Sequence, residues 1–181
     1  MIRKGVLISI LAIISHICMA QWSEDELKPY RQKADKEVLE YVNQMVQKGK
    51  WDQNDDELEI GFTTDTMRIN LVVRFLEDDG KYSTMEMHQT LSFQMTEYDK
   101  LLNKYYRKLL DKLTEEDKVK VREAQRTWLK YRDSEFKINR EIIAPNSYMG
   151  GGTMWPLVAS GRSLDIIKER VFSLYHLITN I

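Results

Sequence analysis

The 181-residue chain contains only one cysteine, eight glycines and three prolines. The cysteine, Cys18, falls in an N-terminal segment that we expect to be removed on export, so the mature chain has no thiol and no disulfide. Thiol chemistry is therefore excluded, and packing alone must hold the fold. With few residues that break helices and many Lys, Glu, Leu and Arg residues, the composition favours helix.

The first 20 residues, MIRKGVLISILAIISHICMA, have the layout of a secretory signal peptide. Two basic residues precede an apolar run over residues 6–17, which is too short to span a bilayer comfortably, and Ala20 supplies the small residue at the cleavage point. We predict cleavage after Ala20 and a periplasmic or secreted protein. A retained anchor and a lipid-modified Cys18 are the alternatives, and only these would attach the protein to a membrane.

Cleavage leaves 161 residues with 25 basic and 28 acidic side chains, a formal charge of −3. That length suits one domain with a real core. The charge is uneven, because residues 22–62 carry 11 acidic and 6 basic side chains whereas residues 100–140 carry 13 basic and 7 acidic ones. Two solvated helix faces are the simpler interpretation. The alternative is a surface that meets a basic partner at one end and an anionic partner at the other.

Apolar residues recur at three- and four-residue steps along most of the mature chain, which is typical of amphipathic helices. Residues 24–48 are predicted as the first helix, with Ser23 and Glu26 forming its N-terminal cap and Gly49 ending it. The pattern over residues 63–82 fits either a helix or a β-hairpin closed at Asp79–Gly80, and it does not decide between them.

Two long helices are predicted from Ser83 onward, separated only by a new cap at Thr114. Because each has an apolar stripe to bury, we expect them to fold back as an antiparallel hairpin. The stripe on the second helix is formed by Val121, Ala124, Trp128, Tyr131, Ile138 and Ile142. A loop with three consecutive glycines then leads to a last helix that packs on the hairpin. The predicted fold class is all-α, an antiparallel helical bundle built on this hairpin and the C-terminal helix.

The sequence offers no constellation for catalysis. His88 and His176 are the only histidines of the mature chain, and they are far apart and lack the spacing of metal ligands. The acidic run DQNDDELEIGFT fails as a calcium loop, because Glu57 stands where glycine is needed and Thr63 where glutamate is needed. We predict a protein that is not an enzyme, needs no cofactor or metal and does not bind nucleic acid. A hydrolase is the least supported alternative.

Short motifs between residues 83 and 177 occur in an order and at separations that resemble the LprI-type lysozyme inhibitor family. They are Leu102-Asn103 with Tyr106, Ala124-Gln125-Arg126 with Trp128, Tyr131-Arg132-Asp133, Gly151-Gly152-Thr153 and Arg170. Members often carry cysteines near the positions of Thr90 and Phe136, and this chain has neither. The resemblance implies a small exported helical protein that binds lysozyme and blocks its attack on peptidoglycan, and it favours helix over hairpin for residues 63–77.

Together, the signal layout and the resemblance predict a signal peptide at 1–20, an N-terminal helical extension at 21–61 and an LprI-like domain at 62–181. The alternative function is a cell-envelope module that binds anionic lipid or cell-wall polymer through the basic segment 100–140, without catalysis. The sequence leaves the class of lysozyme and the oligomeric state open.

Two groups of residues are candidates for function. The glycine loop is either a corner or a contact that enters a narrow cleft with its bare backbone, and as a contact its partner-binding residues are Tyr148, Gly150, Gly151, Gly152, Thr153 and Trp155. The motif residues are predicted to be mainly structural, with Asn103, Gln125 and Arg132 forming hydrogen bonds between helices and to the loop. The complete structural set is Leu102, Asn103, Tyr106, Gln125, Trp128, Arg132, Asp133 and Arg170.

Overall fold

Five α-helices make up most of the chain that the computed structural model describes, which is residues 21–51 and 57–181. They are α1 (Glu24–Gln47), α2 (Glu57–Asp78), α3 (Thr84–Lys112), α4 (Glu115–Ile138) and α5 (Met154–Thr179). These residues contain no strand, so the all-α prediction is confirmed and residues 63–77 are helical. The predicted signal segment, residues 1–20, and residues 52–56 of the acidic run lie outside the described residues.

Side-chain caps determine where three of the helices begin. Ser23 accepts a hydrogen bond from the amide of Glu26, whose carboxylate accepts one from the Ser23 amide, and Ser83 and Glu86 repeat this arrangement at α3. Thr114 caps α4 by accepting from the amide of Asp117. Each cap satisfies amides that the first helical turn leaves without a partner. The caps therefore fix the starts of α1, α3 and α4 from local sequence alone.

One hydrophobic core joins α1, α2, α3 and α5. Helices α3 and α5 pack most closely and run parallel, with α4 antiparallel to both. The largest fully buried side chains are Tyr105, Leu76, Leu102, Leu109, Leu174, Ile178, Val171 and Asn139. Since α1 supplies Leu27, Ala34 and Val38 to this core, the N-terminal helix packs with the other helices rather than apart from them.

The buried face of α4 differs from the predicted one. Tyr131, Ile138 and Ile142 are exposed, and the buried side chains of α4 are Gln125 and Arg132. Trp128 is only partly buried against the core. Val121 and Trp128 of the predicted stripe do pack against the core, but the rest of the stripe was wrong, because Gln125, bonded to Arg170 of α5, and Arg132 occupy the inward positions.

Without disulfides, polar contacts also link α1 and the residues just before it to α3. The indole nitrogen of Trp22 donates a hydrogen bond to the Thr90 hydroxyl at 3.2 Å. Thr90 stands at one of the two positions where members of the LprI-type family often carry cysteine. Further along, Glu97 accepts hydrogen bonds from Arg31 at 3.0 Å and from Lys100 at 2.7 Å. Burial alone raises the pKa of Glu97, but these two bonds outweigh it and the pKa lies below its usual value of 4.5.

We expect Glu97→Gln to reduce the acid sensitivity of folding. Because the folded-state pKa is lowered, the carboxylate contributes stability that is fully present at neutral pH and is lost as the pH falls below about 4.5 through the folded-state pKa. The variant should lose about 1.5–3 kcal/mol at pH 7 and then show a flatter decline between about pH 5 and pH 3. Urea unfolding at several pH values measures both, and equal declines in the two proteins would contradict the role of Glu97.

Candidate binding surface

The connection from α4 to α5 is an irregular segment whose backbone requires particular residues. After α4 the chain makes a π-turn over Asn139–Ile143 and a 3₁₀ turn over Ser147–Met149. Asn146 has a positive φ of 42°, and the three glycines have φ values of 83°, 74° and 130°. Glycine adopts these angles without steric cost, which explains the run of three.

Side-chain and backbone hydrogen bonds fix the base of this loop to α5. The buried Asn139 amide donates to the Ser163 hydroxyl at 2.9 Å and accepts from Nε of Arg162 at 3.0 Å. The Asn146 carbonyl accepts from the amides of Met149 at 3.1 Å and Gly151 at 3.0 Å. Asn139 therefore ties the start of the segment to α5, and the Asn146 carbonyl closes the turn on itself.

The tip of the loop is open to solvent. Tyr148 is 89% exposed and Met149 is 73% exposed. Of the other predicted contact residues, Gly150, Gly152 and Thr153 are exposed, and Gly151 and Trp155 are partly covered. We call residues 148–155 the loop surface.

Several exposed apolar residues enlarge this surface beyond the six contact residues given above. Met149 lies between the predicted contact residues Tyr148 and Gly150, and Ile142, Met154 and Val158 are also exposed nearby. The dense cluster of methionine and aromatic residues around the glycines was the available signal. Exposed aromatic and methionine side chains with little charge are typical of protein contact surfaces.

Within the described ranges 21–51 and 57–181, no group of three or more His, Cys, Asp or Glu residues could hold a metal ion. His88 is buried in α3, and burial lowers its pKa, whereas His176 is exposed near the end of α5. Among the same residues no helix is both long enough and apolar enough to cross a bilayer.

We expect Gly151→Ala to destabilise the protein by about 1–2 kcal/mol, because φ at this position is +74° and L-residues with a Cβ atom are strained there. Gly161→Ala is the matched control, since Gly161 lies inside α5 with no atom within 4 Å of the added methyl group. That change should stabilise by about 0.5–1 kcal/mol. Chemical denaturation of both variants tests the loop backbone, and a neutral Gly151→Ala would contradict the assigned conformation.

The motif residues lie together where α4 meets α3 and α5, away from the tip of the loop. Nε and Nη2 of Arg170 donate to Oε1 of Gln125 at 3.0 and 2.9 Å. The guanidinium groups of Arg132 and Arg170 lie 5.6 and 5.7 Å from the Trp128 ring, at distances that suit cation–π interaction. We call this group the motif cluster, and its members are Leu102, Asn103, Tyr106, Gln125, Trp128, Arg132, Asp133 and Arg170.

The hydrogen bonds of the motif cluster do not reach the loop. Arg132 donates to Asp133 on its own helix at 2.7 Å and 3.0 Å, and Asn103 donates to the Asp99 carbonyl at 2.9 Å. Burial raises the pKa of Asp99, and Arg132 and Asn103 offset part of that rise. Among the described residues, Gln125 is the one predicted linking residue that hydrogen-bonds to another helix. Arg132 acts on α3 electrostatically, because its charge lowers the pKa of Asp99.

A family model described as lysozyme inhibitor LprI matches residues 77–174, which is more than half of the chain. The matched range runs from the end of α2 through most of α5 and contains both the motif cluster and the loop surface. No curated protein and no solved structure gave a significant match. The chain therefore belongs to the lysozyme inhibitor LprI family.

Proposed function

We propose that this protein is exported and inhibits lysozyme by direct contact, so that peptidoglycan is protected from hydrolysis. Membership of the LprI family supports the choice of partner, and the layout of the first 20 residues supports export. The observation that carries the site is the exposure of Tyr148 and Met149 beside three glycines that project no side chain. We propose no catalytic role.

The shape of the loop surface suits a groove. A lysozyme cleft is built to receive a polysaccharide chain, so an occupant must be narrow and must offer polar groups along its length. Residues 150–152 present a backbone with no side chain in the way, of which the Gly151 N–H already donates to Asn146, and Tyr148 and Met154 can pack at the rim. Because Asn139 and Asn146 already hold the base of the loop, binding requires little further ordering of the backbone.

A cell-wall clearing assay with the purified mature protein tests this proposal. Increasing concentrations are titrated against several lysozymes of different classes while the turbidity of a peptidoglycan suspension is followed. We expect the lysis rate of at least one lysozyme to fall to zero once the protein is in molar excess over the enzyme. Undiminished lysis by every enzyme at large excess would refute the proposal.

A second candidate function is an envelope module that binds anionic lipid or cell-wall polymer. One observation favours it, namely that Arg122 and Arg126 of α4 form no ion pair with any described residue. Sedimentation with peptidoglycan or anionic vesicles, in the absence of any effect on lysozyme, would favour this function over the first.

A further inference from the structure

Arg170 in the motif cluster is a half-buried cation with no carboxylate partner. Its two hydrogen bonds go to the neutral Oε1 of Gln125, and no aspartate or glutamate of the described residues pairs with it. Burial lowers the pKa of Arg170, and only Tyr106 acts in the opposite direction. A buried charge is normally balanced by an opposite one, and Arg170 has only the Trp128 ring and a neutral amide oxygen beside it, so an external anion would supply the missing charge.

Gln125 adds a second donor without a partner. Its side chain is 3% exposed, its oxygen is occupied by Arg170, and its Nε2 has no acceptor among the described residues. Leaving a buried N–H group unpaired costs about 1–3 kcal/mol, and such groups are rare in native proteins. An acceptor oxygen from a ligand would satisfy it.

Three further groups surround this pair. Tyr106 on α3 lies within electrostatic reach of Arg122, Arg126 and Arg170, yet burial still raises its pKa, so its hydroxyl stays protonated and can donate. Arg122 and Arg126 are exposed and make no hydrogen bond or ion pair with a described residue, and Arg122 interacts with Glu115 only at longer range. Arg122 and Arg126 are four residues apart and so share one side of α4, next to the Gln125 that bonds to Arg170 of α5. The nearby carboxylate of Glu115 pairs with Lys118 instead.

We propose that Arg122, Gln125, Arg126 and Arg170, together with Tyr106, form a binding site for a phosphate group. Three positive charges and several donors match a tetrahedral dianion with four acceptor oxygens better than a carboxylate, which has one charge and two oxygens. The phosphate is either a free ion or part of a lipid headgroup. This site is separate from the loop surface, so its failure would leave the proposed inhibition of lysozyme untouched.

Calorimetric titration of inorganic phosphate into the purified mature protein tests the site, with sodium chloride added to hold the ionic strength constant. We expect saturable binding that Arg126→Gln weakens about tenfold or more, the effect of losing one hydrogen bond to a charged group. Arg126 is exposed and unpaired, so its replacement should leave folding intact. Absence of saturable binding by the unaltered protein would overturn the proposal.

Lys120→Gln is the matched control, because it removes the same charge from the same helix. Lys120 pairs with Glu116 and Asp117 and lies about 200° around α4 from Arg122. Its replacement should leave phosphate affinity within about twofold, and an equal loss in both variants would mean general charge attraction and no site.

A vesicle assay separates the two sources of phosphate. Phosphatidylcholine vesicles with and without phosphatidic acid are sedimented with the wild-type protein and with Arg126→Gln. Retention that depends on phosphatidic acid and on Arg126 assigns the site to a lipid headgroup. Binding of inorganic phosphate without retention on these vesicles assigns it to a free phosphate.

Discussion

Replacing Tyr105 by alanine is expected to lower the free energy of unfolding by about 3–5 kcal/mol. The side chain is fully buried in α3, and its ring packs edge-on against Phe62 at 5.1 Å and Tyr175 at 6.3 Å between centroids. Alanine would leave a cavity at the point where α2, α3 and α5 meet. Since a chain with one cysteine can form no internal disulfide to limit the unfolded state, a loss of this size is a large part of the total stability of an ordinary domain.

Tyr105→Phe separates the ring from its hydroxyl. The hydroxyl donates to Asp65 at 2.8 Å, and Asp65 keeps Lys104 as a partner when the hydroxyl is removed. We expect this variant to lose only about 0.5–1.5 kcal/mol. Urea unfolding of the two variants gives both values, and equal losses would show that the hydroxyl rather than the ring stabilises the core.

Replacing Tyr148 and Met149 together by alanine is expected to weaken inhibition of lysozyme by about thirtyfold or more. Exposed aromatic anchors at an interface often account for about 2 kcal/mol each when truncated, and a factor of ten corresponds to about 1.4 kcal/mol. In the free protein both side chains are exposed, so the free energy of unfolding should change by less than about 0.5 kcal/mol. The clearing assay and urea unfolding measure the two effects separately.

Tyr82→Ala provides the matched control for the loop. Tyr82 is also a solvent-exposed tyrosine in a connection, at 60% exposure between α2 and α3, but it lies outside the loop surface. Its replacement should leave inhibition unchanged. If it weakens inhibition as much as the change at Tyr148 and Met149, the contact is not made by the loop.

Much of the fold could be predicted because its signals are local. The pairs Ser23 with Glu26 and Ser83 with Glu86 lie within one turn, so the sequence alone places the starts of α1 and α3. The segment 63–77 was ambiguous because its apolar residues also alternate. Val72 and Leu76 are buried beside Leu71 and Phe75, and this spacing belongs to a helix that buries a broad face.

The inward face of α4 could not be predicted from hydrophobicity. Its buried residues, Gln125 and Arg132, are polar, and the partner of Gln125 is Arg170, 45 residues further along the chain. A pattern of apolar residues carries no information about which polar groups will meet across helices. The exposure of Ile142 follows in part from the π-turn at 139–143, which changes the angular spacing of side chains after α4.

The position of the candidate loop could be predicted, but the hydrogen bonds that hold the loop in place could not. Three consecutive glycines in an otherwise helical sequence mark the loop, and the positive φ values at all three positions give the physical reason for them. The hydrogen bonds that hold the loop join Asn139 to Ser163 and Arg162, across 24 and 23 positions, and nothing local indicates them.

Amide hydrogen exchange of the protein, free and mixed with a lysozyme, tests most directly whether the loop surface is the point of contact. We predict that exchange slows on binding over residues 147–155 and stays unchanged in the α2–α3 connection around Tyr82. A complex whose slowed amides lie elsewhere, with residues 147–155 exchanging as fast as in the free protein, would contradict the account.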